Sequence, residues 1–262
     1  MDFKKINFEK DGKIAIITLN YPETYNSYDE ILADELFKAF QNVKWDKNLR
    51  VVILKANGKA FSAGGDIPSF KRAIDENRFP QMVEELTLTL NGTVLLMKNM
   101  DKIILSYIDG IVAGVGLSFA LNVDISFATK DSIFIGGYNG LATTPDGGSS
   151  YVFIKNAGLP RTMYFFLSNE KFSALDLEKW GVISKVITKE EGFEFVYNFA
   201  QKLANGPHFA NILTKRLFFL GQNKTFEEYI EMERNGIINC SQSEDMAEAV
   251  NAFIQKREPE FK

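Results

Sequence analysis

A single carboxylate in a glycine-rich setting is the clearest chemical feature of this sequence. Asp146 lies between Pro145 and Gly147, near the end of the stretch Gly110–Ser150, which opens with the glycine-rich segment GIVAGVGLS. Burial among glycine and apolar residues is expected to raise the carboxyl pKa and make it a stronger base, which suits general acid–base chemistry. On these residues alone, the commoner role for Asp146 is to cap a turn or a helix that begins near Ser149.

Two glycine-rich turns follow strand-like runs. Arg50–Ala56 precedes the segment Phe61–Asp66 (FSAGGD), and Lys102–Ile108 precedes the segment that starts at Gly110. Such apolar, β-branched runs are typical of strands buried on both faces of a parallel sheet. Parallel strands would bring both turns to one sheet edge, where backbone N–H groups can bind an anion. Two N–H groups directed at one oxygen would form an oxyanion hole; tight turns and close packing are the alternative explanation of the glycines.

Several other chemistries are disfavoured by what the sequence contains. His208 is the only histidine and Cys240 the only cysteine, so a Cys/His metal cluster is not expected and a disulfide within the chain is not possible. His208 follows Pro207 at a predicted helix entry, which makes it a poor candidate for a catalytic triad. Ser118 lies in GLSFA, which does not match the nucleophile-elbow pattern. We predict no metal site.

Charge and hydropathy patterns indicate the kind of partner. The net charge is −4 with both signs mixed along the chain, which argues against nucleic acid as a ligand. The N-terminus lacks the apolar core of a signal peptide. The longest apolar run, Gly110–Leu121, is too short to span a bilayer and is followed at once by Asn122 and Asp124. We therefore expect a cytoplasmic protein with no membrane span.

Strands alternate with helices in the first two thirds of the chain, and helices predominate afterwards. An Asp11–Gly12 hairpin joins the first two strands. The predicted strands are 3–8, 13–19, 50–56, 102–108, 123–128, 133–135 and 183–187. The predicted helices are 30–44, 81–99, 151–157, 160–167, 174–180, 193–204, 208–220, 225–235 and 244–255. This order predicts an α/β fold with a helical C-terminal part.

Five segments, in order along almost the whole chain, resemble the crotonase (enoyl-CoA hydratase/isomerase) superfamily. They are NYPETYNSYDEILADEL, ILKANGKAFSAGGDI, the stretch Gly110–Ser150, FSALDLEKWGVISKVI and SEDMAEAVNAFIQKREPEF. The resemblance implies a spiral ββα core, which we assign to residues 1–200, and an α-helical trimerisation region at residues 201–262. It also implies a homotrimer or homohexamer and an acyl thioester substrate carried by coenzyme A or acyl carrier protein. Coenzyme A or phosphopantetheine would then be part of the substrate, and no prosthetic group is expected.

The resemblance also assigns roles to individual residues. The backbone N–H groups of Gly65 and Val115 correspond to the pair that binds the thioester oxygen, and Asp146 corresponds to the acid of superfamily isomerases. The residues that we expect to bind substrate are Ala63, Gly64, Asp66, Ile67, Gly114, Ser118 and Tyr138.

The sequence departs from the hydratases of this superfamily at two positions. Ser118 and Tyr138 stand where those enzymes have glutamates that handle water, so a hydratase should work poorly with these residues. A single carboxylate at Asp146 suits migration of a double bond from the β,γ to the α,β position, because one base can move a proton from one carbon to the other. We expect Ser118 to leave room for the acyl chain, and Tyr138 to be a pocket wall, a hydrogen-bond donor or a packing residue.

Two alternatives to an isomerase remain open at the level of sequence. One is another reaction at the same oxyanion hole, namely residual hydration, dehalogenation or ring isomerisation. The absence of the glutamates disfavours hydration, and the position of His208, far along the chain, disfavours dehalogenation. The other is a non-catalytic acyl-thioester binding protein, which the retained SAGGD and AGVG turns and the acid at Asp146 disfavour.

Overall fold

The computed structural model describes residues 3–262, which form two β-sheets surrounded by helices. The strands are β1 (Ile6–Asp11), β2 (Ile14–Leu19), β3 (Val51–Ala56), β4 (Ala60–Ser62), β5 (Ile103–Ile108), β6 (Ile111–Ala113), β7 (Ile125–Thr129), β8 (Ile133–Ile135), β9 (Lys171–Ser173) and β10 (Lys185–Ile187). The helices are α1 (Glu30–Trp45), α2 (Ile67–Asp75), α3 (Phe79–Asn99), α4 (Gly116–Leu121), α5 (Ser149–Ala157), α6 (Leu159–Ser168), α7 (Ala174–Lys179), α8 (Gly192–Ala204), α9 (His208–Gly221), α10 (Phe226–Ser241) and α11 (Glu244–Gln255).

The larger sheet has six strands in the order β1-β2-β3-β5-β7-β10. Strands β1 and β2 form the expected antiparallel hairpin, and all other pairs in this sheet are parallel. Strand β3 pairs with β5 in a register that sets Val51 against Ile103 and Leu54 against Ser106. The expected parallel sheet is therefore present, and the turns after β3 and β5 leave from the same edge.

A second, four-stranded sheet has the order β4-β6-β8-β9. Each of β3, β5 and β7 is followed by a short strand of this second sheet and then by a helix, which gives three successive ββα units. Strands β4 and β6 lie inside segments that we predicted as glycine-rich turns, and β9 was not predicted. Strand β8 matches the strand predicted at 133–135. The three-residue strands β4, β6 and β9 were missed because they are too short to produce a period-two pattern in sequence.

Helices α1 and α2, which lie near the first glycine-rich turn, each begin after a capping aspartate. The Asp29 carboxylate accepts the N–H of Leu32 and caps α1, the helix predicted at 30–44. The Asp66 carboxylate accepts the N–H of Ser69 and caps α2, a helix that was not predicted from the sequence. Pro68 lies in the first turn of α2, where its missing N–H removes no helical hydrogen bond.

The C-terminal helices differ in how they meet the core. Helix α8 packs on the large sheet through Val196, Ala200 and Ala204. The predicted boundary at residue 200 falls inside this helix, and the division into two regions stays a prediction. Helices α10 and α11 are nearly free of buried residues, with Ala252 the one such residue among them. Most of their apolar surface therefore faces outward in the single chain.

No helix within residues 3–262 is long and apolar enough to cross a bilayer. The same residues contain no group of three or more His, Cys, Asp or Glu side chains arranged to hold a metal ion.

Candidate active site

A cavity of about 660 Å³ lies between helices α2 and α3 and the loops that follow β4, β6 and β8. Eight of the residues singled out from the sequence border it: Ala63, Gly64, Gly65, Ile67, Gly114, Val115, Tyr138 and Asp146. Apolar side chains of α2 and α3 complete one wall, namely Phe70, Ile74, Phe79, Val83, Leu86 and Leu90. The cavity is therefore mostly apolar, with a few polar groups at one end, as is typical of small-molecule sites.

The two glycine-rich loops touch each other at the cavity. Gly64 has φ +97° and Gly114 has φ +52°, and a Cβ atom on Gly64 would lie 3.2 Å from the carbonyl oxygen of Ala113. Both residues need the positive φ that glycine tolerates, and a side chain at Gly64 would push the loops apart. The glycines thus allow two backbone segments from neighbouring ββα units to meet.

The first loop is fixed by the segment before α1. The N–H of Tyr28 donates to the carbonyl of Gly64 at 2.7 Å, and the N–H of Asp66 donates to the carbonyl of Tyr28 at 3.0 Å. These two hydrogen bonds involve the carbonyl of Gly64 and the N–H of Asp66, the residues on either side of Gly65. Among residues 3–262, no acceptor takes a hydrogen bond from the N–H of Gly65 itself.

The second loop shows the same arrangement at the start of α4. The N–H of Gly114 donates to the carbonyls of Ile135 and Gly136, while the N–H of Val115 has no acceptor in the described part of the chain. A Cβ atom on Gly116 would lie 2.8 Å from the carbonyl oxygen of Ser62, so the helix start can approach β4 only with glycine there. Two backbone donors, on Gly65 and Val115, are therefore available at one cavity.

Asp146 is anchored through its backbone. Its carbonyl oxygen accepts the hydroxyl of Ser118 at 2.9 Å and the hydroxyl of Ser149 at 3.3 Å. The next residue, Gly147, has φ +55°, and its carbonyl accepts the side-chain amide of Asn122 at 2.9 Å. The backbone of the acid is thus held by side chains from α4 and α5, and the residue borders the cavity.

The Asp146 carboxyl group has one side-chain partner. The phenolic hydroxyl of Tyr138 donates to its Oδ1 atom at 2.8 Å. Burial raises the pKa of Asp146 above its ordinary value, and the hydrogen bond from Tyr138 opposes part of that rise. A carboxyl group in this state is a stronger base than an exposed aspartate, as the sequence analysis expected.

The tyrosines at this site remain neutral over the usual pH range. Burial, together with the charge of Asp146, raises the pKa of Tyr138 and of Tyr28. Both phenols are consequently hydrogen-bond donors whenever Asp146 is ionised.

Two of the expected substrate-binding residues lie outside the cavity lining. Ser118 is fully buried, and the space beside its hydroxyl is taken by Asp146 and Gly147 rather than left for an acyl chain. The carboxylate of Asp66 is turned toward Ser27 and Ser69, to which it is bound at 2.8 and 2.9 Å. Both side chains thus support the loops that border the cavity.

Further residues at the site were not predicted from the sequence. Tyr28 borders the cavity, and its ring packs on Phe119 with centroids 5.2 Å apart. The apolar wall made by α2 and α3 was also missed. The amphipathic pattern of Ile67, Phe70 and Ile74 could have indicated it, whereas nothing in the local sequence distinguishes Tyr28.

Comparison with known proteins agrees with this geometry. Residues 9–262 match the family model described as enoyl-CoA hydratase/isomerase. An enoyl-CoA hydratase structure from Bacillus anthracis superimposes with a TM-score of 0.91 at 23% identity, covering 99% of both chains. The fold and the match define an enzyme of the crotonase type. The chain belongs to the enoyl-CoA hydratase/isomerase family.

Several relatives of the chain have names that include isomerase. The chain is 27% identical over 261 residues to the trans-2-decenoyl-[acyl-carrier-protein] isomerase of Streptococcus mutans, covering 100% of this chain and 99% of the relative. It is 28% identical over 262 residues to the 1,2-epoxyphenylacetyl-CoA isomerase of Escherichia coli, covering 100% and 98%. Other relatives are named hydratases, among them the short-chain-enoyl-CoA hydratase of Clostridium acetobutylicum, at 24% identity.

Proposed function

We propose that this enzyme is an enoyl-thioester isomerase that moves a double bond between the β,γ and α,β positions of an acyl chain. The observation that carries the proposal is the acid–base content of the cavity. Among residues 3–262, Asp146 is the one carboxylate that borders it, and Ser118 and Tyr138 stand where two glutamates would handle water in a hydratase. One base suffices for a proton shift, whereas the hydratases of the superfamily use two.

In the proposed reaction the thioester oxygen binds to the N–H groups of Gly65 and Val115. The Asp146 carboxylate removes a proton from the α carbon of a 3-enoyl thioester. The electron pair of the broken C–H bond forms a dienolate, whose negative charge rests on the thioester oxygen. Protonated Asp146 then returns the proton to the γ carbon, which gives the 2-enoyl thioester and restores the carboxylate.

The backbone donors support formation of the dienolate, and the carboxyl group supports the proton transfers. Backbone donors directed at a developing oxyanion are worth about 3–4 kcal/mol each in transition-state stabilisation. A well-placed acid–base group contributes about 10²–10⁴-fold in rate. The raised pKa of Asp146 improves its strength as a base for a weakly acidic C–H bond.

The proposed substrate is an acyl thioester of coenzyme A or of acyl carrier protein, with no prosthetic group. The apolar wall of α2 and α3 offers the acyl chain a hydrophobic surface, because Leu86 and Leu90 border the same cavity as Asp146. The relatives named above act on both carriers according to their names, so both belong in the test.

We also propose that the chain assembles as a homotrimer, or as a hexamer of two trimers, through its C-terminal helices. Large apolar side chains on these helices are exposed in the single chain: Phe218, Phe226, Ile237, Phe253 and Ile254 are 58, 74, 60, 85 and 71% exposed. Surfaces of this kind are common at subunit interfaces. Sedimentation equilibrium tests this, since a monomeric mass at micromolar concentration would contradict it.

An activity screen tests the proposed function. Purified enzyme is given 3-enoyl and 2-enoyl thioesters of several chain lengths on both carriers, in ¹⁸O-labelled water. We expect interconversion of the 3-enoyl and 2-enoyl forms with little label in the product. Rapid incorporation of labelled water would indicate a hydratase instead, and tight binding of coenzyme A without turnover of any thioester would indicate a binding protein.

A further inference from the structure

We propose that Tyr138 is a positioning residue that holds Oδ1 of Asp146 and so assigns the proton transfer to the other carboxyl oxygen, Oδ2. This inference rests on the proposed isomerase function and adds a specific role for a residue that stands where hydratases have a glutamate. The bond that carries it is the 2.8 Å hydrogen bond from the Tyr138 hydroxyl to Oδ1.

Tyr138 is itself held firmly. It is 6% exposed, and its ring packs against Phe166 with centroids 6.0 Å apart. Its backbone carbonyl accepts the N–H groups of Leu141 and Thr143 at 3.0 and 3.1 Å. Gly137, just before it, is fixed by Asn169, whose side-chain oxygen accepts the Gly137 N–H at 3.1 Å. The hydroxyl group of Tyr138 is therefore a hydrogen-bond donor to Asp146 with a fixed position.

The two carboxyl oxygens of Asp146 have different surroundings. Oδ1 is occupied by Tyr138, whereas no other residue in 3–262 donates a hydrogen bond to Oδ2. No inaccessible side-chain oxygen or nitrogen in this part of the chain lacks a hydrogen-bond partner, so Oδ2 is accessible. Asp146 borders the cavity. One oxygen is consequently anchored and the other is free to meet a C–H bond.

Anchoring one oxygen has a consequence for catalysis. A single base that serves both the α and the γ carbon must stay between them through the dienolate stage, and a carboxyl group that rotates freely would lose that placement. The hydroxyl of Tyr138 remains a donor throughout, because burial and the Asp146 charge raise the pKa of the phenol. The hydrogen bond also stabilises the carboxylate form of Asp146.

Removal of the hydroxyl should therefore change both the rate and the pH profile. In Tyr138→Phe we expect kcat to fall about ten- to hundredfold, the effect of a lost hydrogen bond to a charged group, while KM changes little. We expect the acid limb of the kcat/KM profile to move to higher pH, because the carboxylate loses a donor. The other titratable side chains around the cavity are Tyr28 and Lys71, and Lys71 is paired with Asp75.

The matched control is Tyr164→Phe. Tyr164 also donates to a carboxylate, Oε2 of Glu170 at 2.8 Å, but this pair is on the surface and away from the cavity. We expect the control to keep the wild-type kcat and pH profile. Circular dichroism and thermal unfolding of both variants show whether the fold is retained.

The experiment compares wild type, Tyr138→Phe, Tyr164→Phe and Asp146→Asn in two assays. The first is the pH dependence of isomerisation of a 3-enoyl-CoA. The second is infrared titration of the Asp146 carboxyl band, which is assigned by its loss in Asp146→Asn and needs no turnover.

An upward shift of the Asp146 titration in Tyr138→Phe, with lower kcat, supports the inference. An unshifted titration, or an unchanged kcat in an active folded variant, overturns it. Wild-type inactivity on all 3-enoyl thioesters would instead reject the isomerase function, and the infrared titration would still decide whether Tyr138 controls the carboxyl group.

Discussion

The hydroxyl of Ser118 donates a 2.9 Å hydrogen bond to the backbone carbonyl of Asp146, which lies 28 positions later in the chain. Ser118 occupies a position that resembles the first glutamate of the hydratases, and its side chain points at the segment that carries the acid. A serine there leaves the Asp146–Gly147 segment space to lie against α4. Serine at position 118, in place of the glutamate of the hydratases, thus helps to hold the backbone of Asp146.

This contact predicts the effect of Ser118→Ala. Loss of the hydrogen bond should cost about 1 kcal/mol of stability. It should also lower kcat by roughly tenfold or less, because Asp146 can then shift relative to the bound thioester. Ser106→Ala is the control, since Ser106 is equally buried and donates to the carbonyl of Ala120 at 2.8 Å, away from Asp146. Urea unfolding and steady-state kinetics should show similar stability losses and a rate loss in Ser118→Ala alone. Equal kcat values in the two variants would contradict the role of this contact.

Gly147 should be intolerant of a side chain for two separate reasons. Its φ is +55°, and a Cβ atom there would lie 2.7 Å from the hydroxyl of Ser118 and 2.8 Å from Leu90. Gly12 has almost the same φ, +54°, with nothing within 4 Å of a Cβ atom. Gly12→Ala should therefore show only the backbone cost, about 1 kcal/mol. Gly147→Ala should lose more stability than this and most of its activity. Comparable unfolding free energies for the two variants would show that the contact with Ser118 is not tight.

Asp146→Asn should raise stability at neutral pH. The pKa of Asp146 is higher in the folded protein than in the unfolded chain, so its stabilising contribution is complete below the unfolded pKa and is lost as pH rises through the folded pKa. The ionised carboxyl therefore costs stability near neutrality, and asparagine removes that cost. The advantage of the variant should shrink as the pH is lowered.

Asp66→Asn provides a control of opposite sign. Burial raises the pKa of Asp66, but hydrogen bonds from Ser69 and Ser27 outweigh it and leave the pKa below its ordinary value. This variant should lose stability at neutral pH, and the loss should diminish in acid. Urea unfolding of both variants at neutral and acidic pH is the measurement, and stability changes of the same sign would be inconsistent with the different surroundings of the two carboxyls.

Transfer by a single base also predicts the fate of a labelled proton. A 3-enoyl thioester with deuterium at the α carbon should give a product with part of that deuterium at the γ carbon, because Asp146 receives and returns the same hydron. Mass spectrometry and NMR of the product from a single turnover measure this fraction. A reaction with separate bases for the two carbons would leave no label at the γ carbon.

The sequence predicted the elements that depend on local pattern. The β-branched runs of β2, β3 and β5 indicated strands of the parallel sheet, and the helix predicted at 30–44 corresponds to α1. Of the second sheet, β8 was predicted, but β4, β6 and β9 were not, since strands of three residues such as Ile111–Ala113 carry too little pattern. Helix α2 was missed because Pro68 and a mixed composition obscured the amphipathic pattern of Ile67, Phe70 and Ile74.

The candidate site was predictable to a similar degree. The glycine turns and Asp146 could be singled out because their residue types restrict the backbone or carry charge where little else does. The supporting roles of Ser118 and Asp66 could not be inferred from the sequence. Ser118 bonds to Asp146 and Asp66 bonds to Ser27, and both partners are distant in the chain. Tyr138 was recognised as a pocket residue or donor, but its acceptor, Oδ1 of Asp146, emerged only from the folded chain.

The most direct test of the central claim is the rate at which Asp146→Asn isomerises a 3-enoyl-CoA that the wild-type enzyme accepts. Loss of the acid–base group should lower kcat by about 10²–10⁴-fold. Affinity for the thioester should be retained, because Gly65 and Val115 still offer their N–H groups and asparagine keeps the volume of the side chain. Isomerisation at the wild-type rate by this variant would contradict the assignment of Asp146 as the acid–base residue.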